Sequence, residues 1–361
     1  MVHPIHSADN FVLREMPMPS IKDVAKLAGV SPSTVSLVLN GSSLVKHETA
    51  YRVNQAIEQL HYVPNQAARS LVTKKNRVIS LVRITDSRPA TSDADTFEVS
   101  VDTLIMDMLP GLQHVLYENR YSLLTDVFVP LDKPVEDITI VDPNLVDGVI
   151  FVGGMTPPEA IEKVCSLGIP AVFAYKKYDK ADYIDTDASQ GIYLAAKHLL
   201  ENGHRDIAFI NGSTHSSTNV EKIAGFRRAL EEYHCPFREE WVRSADFIAR
   251  AGYQAVRSIW KSGLRPTAVI GSCDNVAMGI YRFLNEQGLR CPEDVSVIGY
   301  EASILSSHCV PPLTSVSVNK MGIGAEAGRM LINRIRNPKA KPMHMIIPPE
   351  LICRESVLKI N

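Results

Sequence analysis

Apolar positions along the chain follow two different rhythms. Between Ser20 and Leu60 they recur at helical spacing: Ile21, Val24 and Leu27 or Ala28; then Val35, Val38 and Leu39; then Val53, Ile57 and Leu60. The pattern predicts three short helices. Ser20 and Asp23 form an S-x-x-D capping box that opens the first, and Gly29 ends it. Ser31 caps the second, with Pro32 at the first helical position, where a missing N–H is no loss. The third runs from Glu48 to Leu60, and Tyr62-Val63-Pro64-Asn65 breaks it. Asn65 can then cap a polar stretch, Gln66 to Leu71, too short to be a stable helix in isolation. Two short helices joined by a tight glycine turn are a helix-turn-helix signature. Alone, the signature fits a small helical subdomain with a solvated charged face equally well.

From Arg77 onward the rhythm changes. Apolar runs at Val78–Val82, Tyr121–Asp126, Gly148–Val152, Ala171–Tyr175, Ile207–Ile210, Ala268–Ser272 and Val295–Gly299 read as strands. They alternate with amphipathic stretches at Asp107–Asn119, Pro158–Leu167, Gln190–Glu201, Val220–Tyr233, Gly252–Lys261, Asn275–Glu286 and Met321–Ile335. Such alternation predicts parallel sheets covered by helices on both faces. Ligands of such sheets bind beyond the carboxyl ends of the strands.

Charge sharpens the division. The whole chain carries a net charge of −2, yet Ser20 to Lys75 holds seven cations (Lys22, Lys26, Lys46, Arg52, Arg69, Lys74, Lys75) against three anions (Asp23, Glu48, Glu58). A local cationic surplus is what phosphate neutralisation needs. At 361 residues, 45% hydrophobic and 22% charged, the chain has room for two or three ordinary globular domains. No apolar run approaches the ~18 residues of a membrane span. The first residues lack the basic start and apolar block of a secretory signal, so a cytoplasmic, nucleoid-associated protein is expected. The six cysteines are scattered without CxxC spacing, which argues against zinc and a disulfide framework. No metal and no cofactor are expected.

Rival chemistries find little support. Ser213 and His215 lie in a Gly-Ser-x-His loop, but no acid is placed to complete a catalytic set, so a polar pocket rim is the better reading and no enzyme is expected. Cys273 invites a redox role, against which stands the ordinary behaviour of a small half-buried thiol. A solute-binding protein would need an export signal and no basic module.

Specific strings go further. IKDVAKLAGVSPSTVSLVLNG and YVPNQAARSL closely resemble the headpiece and hinge of the lactose/galactose repressor (LacI/GalR) family. DGVIFVGG, GIPAVFAYKK, YIDTDASQGIYLAAKHLLENGHRDIAFINGS, IAGFRRAL, GLRCPEDVSVIGYEAS, PPLTSVSVNKMGIGAEAGRMLINRI and PPELICRES follow in that family's order. The likeness runs over residues 20–358.

The resemblance implies an all-α helix-turn-helix headpiece plus an α/β periplasmic-binding-protein-like core of two doubly wound parallel-sheet lobes. Expected divisions are a flexible tail (1–19), the headpiece (20–64), a hinge helix and linker (65–76) and an effector-binding, dimerisation core (77–361). The chain should cross between lobes three times, near Tyr175–Asp179, Ala302–Pro311 and Val316–Met321. Ser31, Pro32, Ser33, Thr34, Ser36, Leu37 and Asn40 are implied to enter the major groove, with Lys22 on the first helix joining the DNA-binding set. Asn65, Ala68 and Leu71 are implied to form the hinge, Leu71 wedging between base steps from the minor groove. Leu37 departs from the arginine of many members; it cannot hold guanine bidentately and at best touches a thymine methyl. Lys46 stands where the family has a capping serine.

The implied effector set is Asp86, Ser87, Asp187, Thr218, Lys222, Cys273, Asp274 and Glu301. Here too the chain departs from the family: Lys222 replaces an arginine fork by a point charge, Cys273 replaces an amide or acid, and Glu301 replaces aspartate. The effector is expected to be a small molecule of the sugar, sugar phosphate or nucleoside class. The acidic segment 86–102 is longer than the family's usual connection and reads either as a cleft-bordering lid or as a solvated insertion. The implied protein is a ligand-responsive regulator, a repressor that binds a pseudo-palindromic operator in double-stranded DNA as a homodimer. Some family members also answer to a phosphoprotein co-regulator. No leucine-heptad tail follows Leu358, so a dimer is expected rather than a coiled-coil tetramer.

Overall fold

The computed structural model describes residues 19–39, 42, 44–62, 75–85, 103–130, 133–214 and 216–360. The chain divides into two compact units, with the boundary between Lys75 and Asn76.

The first unit contains three helices: α1 (Ile21–Ala28), α2 (Pro32–Leu39) and α3 (His47–Gln59). Ser20 opens α1 as expected, its N and Oγ both donating to Asp23 Oδ2 at 2.8 and 2.7 Å. Those bonds hold the Asp23 carboxyl below its ordinary range. Gly29 ends α1 in the left-handed region (φ 64°), which lets Val30 N reach back to Ala25 O at 3.0 Å. Ala28 rather than Leu27 takes the buried place on α1. Val24, Ala25, Ala28, Val35, Val53, Ala56 and Tyr62 form the small core, with Val38, Leu39, Ile57 and Leu60 packed against it. Lys46 precedes α3 without any side-chain cap, matching its departure from serine.

The second unit has two sheets of six strands. Lobe 1 is built from β1 (Val78–Thr85), α4 (Thr103–Glu118), β2 (Ser122–Pro130), β3 (Gly148–Val152), α5 (Pro158–Ser166), β4 (Ala171–Ala174) and β5 (Asp182–Thr186), joined later by α10 (Lys320–Arg336) and β11 (His344–Ile347). Its sheet order is β11-β5-β4-β3-β1-β2 and every pairing is parallel. Lobe 2 contains α6 (Ala188–Glu201), β6 (Ile207–Asn211), α7 (Thr218–Glu232), β7 (Val242–Ser244), α8 (Ala249–Lys261), β8 (Ala268–Gly271), α9 (Asp274–Glu286), β9 (Ser296–Glu301), β10 (Thr314–Ser317) and β12 (Glu350–Ile352). Its order is β12-β10-β9-β8-β6-β7, parallel except for the β10–β12 pair. The seven expected strands and seven expected helices of this unit all form, β3 over its expected range and the others with shifted ends. β5, β7, β10, β11 and β12 were not expected.

Two of the three expected lobe crossings are wrong. Tyr175–Asp179 joins β4 to its sheet neighbour β5, and Ala302–Pro311 joins β9 to its sheet neighbour β10. The chain leaves lobe 1 at Asp187, since α6 already packs on α7, β8, β10 and β12. It returns between β10 and α10, inside the expected Val316–Met321, and leaves again between β11 and β12. The second crossing leads into a close helix pair. α4 and α10 approach so closely that a Cβ on Gly111 would overlap the Met321 carbonyl, and one on Gly324 the Met108 carbonyl. Among the described residues, no helix is long and apolar enough to cross a membrane.

Candidate nucleic-acid interface and ligand cleft

α2 presents one buried face and one exposed face. Val35 is fully buried, while Pro32, Ser33 and Leu37 are exposed and Thr34 and Ser36 half-exposed. Ser31 Oγ accepts from Thr34 N at 3.1 Å and shares a hydrogen bond with Thr34 Oγ1 at 2.9 Å. This cap fixes the start of the helix, whose first N–H groups and positive dipole end suit a phosphate. Lys22 is exposed on α1. Asn40, Asn65, Ala68 and Leu71 lie outside the described residues.

In the second unit, Lys222 on α7, Cys273 and Asp274 at the start of α9, and Glu301 at the end of β9 come together at the carboxyl ends of the lobe 2 strands. Lys222, on α7, is buried; its ammonium donates to Ser272 O at 2.9 Å and lies 4.2 Å from the centre of the Tyr300 ring. Burial pulls its pKa down, and Glu301 pulls the other way. The Phe247 ring stands 5.8 Å from the same ammonium. Cys273, just before α9, is buried, and burial pushes its thiol well up, so it is not a ready thiolate. Asp274 is committed to holding the chain: Oδ1 accepts from Ser315 Oγ and Oδ2 from Ser303 N, both at 2.6 Å. Burial raises its pKa, opposed by those bonds. Asp187 is exposed, and its Oδ1 caps α6 by accepting from Gln190 N at 2.8 Å. Thr218 opens α7, its hydroxyl 2.9 Å from Ser216 Oγ. Asp86 and Ser87 lie outside the described residues.

The cleft also holds groups that sequence reasoning missed. Asp185, on β5, is buried, and desolvation lifts its carboxyl to about 6. Tyr175 OH, Thr186 Oγ1, Ser272 Oγ, Tyr300 OH and Ser303 Oγ are buried without hydrogen-bond partners, and all stand at or just beyond the carboxyl ends of β4, β5, β8 and β9. Buried hydroxyls are nearly always satisfied, so this gathering has hydrogen-bonding capacity left for water or for a polar ligand. Asp185 and Tyr300 sit in the quoted motifs, but nothing local distinguishes them from core residues.

Polar contacts join the lobes on both flanks of this gathering. Lys177, after β4, pairs with Glu221 on α7 at 2.6 Å, and Ser217 Oγ donates to Gly154 O at 3.2 Å. On the other flank Lys320, the first residue of α10, has a side chain only 3% exposed; its ammonium lies 2.6 Å from Asp107 on α4 and 3.7 Å from Glu301 at the end of β9. Burial alone would lower its pKa, but Glu301 and Asp107 outweigh that and raise it. Thr103 Oγ1 donates to Glu301 Oε2 at 3.4 Å. Glu301 and Ala302 both have positive φ (97° and 45°), a strained pair of residues held by these contacts. No group of three or more His, Cys, Asp or Glu among the described residues is arranged to hold a metal.

Known proteins align with both units. The family description "Bacterial regulatory proteins, lacI family" matches residues 20–65, and "Periplasmic binding protein-like domain" matches residues 196–357. The HTH-type transcriptional repressor PurR of Actinobacillus pleuropneumoniae serotype 3 is 32% identical over 349 residues, covering 95% of this chain and 100% of that protein. A lac repressor dimer bound to operator and the anti-inducer ONPF is similar with a TM-score of 0.78 and 26% identity, covering 94% of this chain and 99% of its own. The transcriptional regulator CelR in complex with cellobiose gives 0.66 and 28%, with coverage of 94% and 99%. With a reading headpiece, a two-lobed core and relatives aligned over nearly their whole length, the chain belongs to the lacI family of bacterial regulatory proteins.

Proposed function

We propose that the chain is a ligand-responsive transcriptional repressor that acts in the cytoplasm as a homodimer on a pseudo-palindromic operator, and that a small molecule in the core cleft sets operator affinity. Each α2 enters one major groove, and two-fold symmetry places the half-sites one helical turn, or a multiple of it, apart. Ser31, Pro32, Ser33, Thr34, Ser36, Leu37 and Asn40 face bases and phosphates, and Lys22 neutralises a phosphate. Asn65, Ala68 and Leu71 form the hinge, with Leu71 as the minor-groove wedge.

The observation that carries the cleft reading is the set of partnerless buried hydroxyls beside Lys222 and Asp185. It supports a compact, hydroxyl-rich effector of the sugar, sugar phosphate or nucleoside class. Lys222 offers a point charge and Glu301 an acceptor; Cys273 and Asp274 frame the floor, with Asp187 and Thr218 at the rim. Asp86 and Ser87 complete the proposed effector set. The test is a thermal-shift screen of the full chain against members of those three classes, because a ligand that binds only the folded state raises Tm with its concentration. One compound should raise Tm in the wild type and fail to do so in Glu301→Ala. A screen with no response would remove the effector class, and an equal response in Glu301→Ala would remove Glu301 from the site.

A further inference from the structure

We propose that Leu37 recognises the 5-methyl group of a thymine in each operator half-site, so that at this position α2 selects its site by methyl contact rather than by two-point hydrogen bonding to a purine. The inference rests on the reading of α2 as the major-groove element.

From Pro32 to Leu39 the helix reads PSTVSLVL. It contains no arginine, lysine, glutamine or asparagine. Those are the side chains that hold guanine O6 and N7, or adenine N6 and N7, in bidentate fashion. Part of its hydroxyl inventory is already spoken for, because Thr34 is hydrogen-bonded to the Ser31 cap through both its N–H and its side chain. The apolar residues divide cleanly. Val35 is fully buried, and Val38 and Leu39 pack against the headpiece core. Leu37 stands outside that cluster and is 41% exposed. Ser33, also exposed, lies one turn earlier at i−4 and so shares its face.

The headpiece core does not use the outer surface of Leu37, and an aliphatic side chain gains nothing from phosphate or water. Among the groups that base edges present in the major groove, the thymine 5-methyl is the apolar one. Leucine against that methyl excludes water from both. Cytosine lacks the methyl, and a purine offers polar atoms that leucine would leave unpaired.

The experiment uses the full-length protein. Duplexes are enriched from a random pool, and the enriched site is then scanned by replacing each thymine with uracil, which removes only the methyl. One thymine per half-site should be sensitive, with binding about three- to fivefold weaker, the effect of one buried methyl group. Leu37→Ala should bind the thymine and uracil duplexes equally, and Leu37→Arg should shift the preference there to guanine. The scan is performed on the unaltered protein, so it does not depend on how the variants fold. An enriched site that tolerates uracil everywhere, or an undiminished methyl effect in Leu37→Ala, would overturn the proposal while leaving DNA binding intact. Failure to enrich any duplex would overturn the proposal together with the reading of α2.

Discussion

Lys177 Nζ lies 2.6 Å from Glu221 Oε1, so the segment after β4 in lobe 1 is ion-paired to α7 of lobe 2. The two side chains are 39% and 34% exposed, and an exposed pair of this kind is worth ~1 kcal/mol or less. Its consequence is therefore conformational rather than global. Lys177→Gln and Glu221→Gln should each change unfolding free energy by less than about 1 kcal/mol. Both should nonetheless raise hydrogen exchange at residues 176–177 and 217–221, and added salt should reproduce the effect in the wild type. Unchanged exchange in both variants would show that the pair does not hold the lobes together.

The opposite flank is held by a buried charge. Lys320 sits between Asp107 and Glu301, which are 25% and 17% exposed. Removing the ammonium leaves two partly buried carboxylates facing each other. Lys320→Met should destabilise the core by about 3 kcal/mol in urea unfolding, in line with the breaking of a buried pair. Asp107→Asn should cost less, because Lys320 keeps Glu301 and the Thr103 carbonyl. A loss below ~1 kcal/mol for Lys320→Met would mean that the triad is not a structural joint.

Asp185 predicts a pH dependence. Desolvation lifts its carboxyl from the ordinary 3.8 to about 6, with Lys177 pulling it down and Glu221 and Asp187 pushing it up. Between those values the folded state keeps a proton that the unfolded chain releases. Asp185 thus lowers stability progressively as pH rises through that window, and the loss is constant above it. A gap of about two pH units corresponds to about 3 kcal/mol. Asp185→Asn keeps the acceptor for Thr186 N and removes the charge. Its stability gain over wild type should be near zero at pH 4 and grow to at most about 3 kcal/mol by pH 7.5. A gain that does not change with pH would contradict the assignment.

What the sequence made legible follows from where each residue finds its partners. Ser20 with Asp23, and Ser31 with Thr34, are capped within three residues, so the headpiece helices could be read locally. β3 is buried at every position and reads as an unbroken apolar run. β5 hid because Asp182 and Asp185 break its apolar pattern. The burial of Asp182 makes sense only with Arg334, 152 residues later, whose guanidinium meets both carboxylate oxygens at 2.7 and 2.8 Å. β7, β10, β11 and β12 are only three or four residues long, and β11 is half exposed. The two misplaced crossings were carried over from the family likeness; the connections after β4 and β9 stay within their lobes because β5 and β10 pair beside those strands. In the cleft, Lys222, Cys273 and Glu301 were named through the family likeness. Lys320, Thr103 and Asp107 were not, because their link to Glu301 exists only once α4 and α10 are packed together.

The central claim is that cleft and headpiece are coupled. Its most direct test is a fluorescence-anisotropy titration of the full-length protein onto its enriched operator, with and without a saturating amount of the compound that raises Tm. The account predicts that operator affinity changes by a factor of about 5 to 150, and that operator DNA changes affinity for the compound by the same factor. Identical operator affinity with and without the bound compound would contradict it.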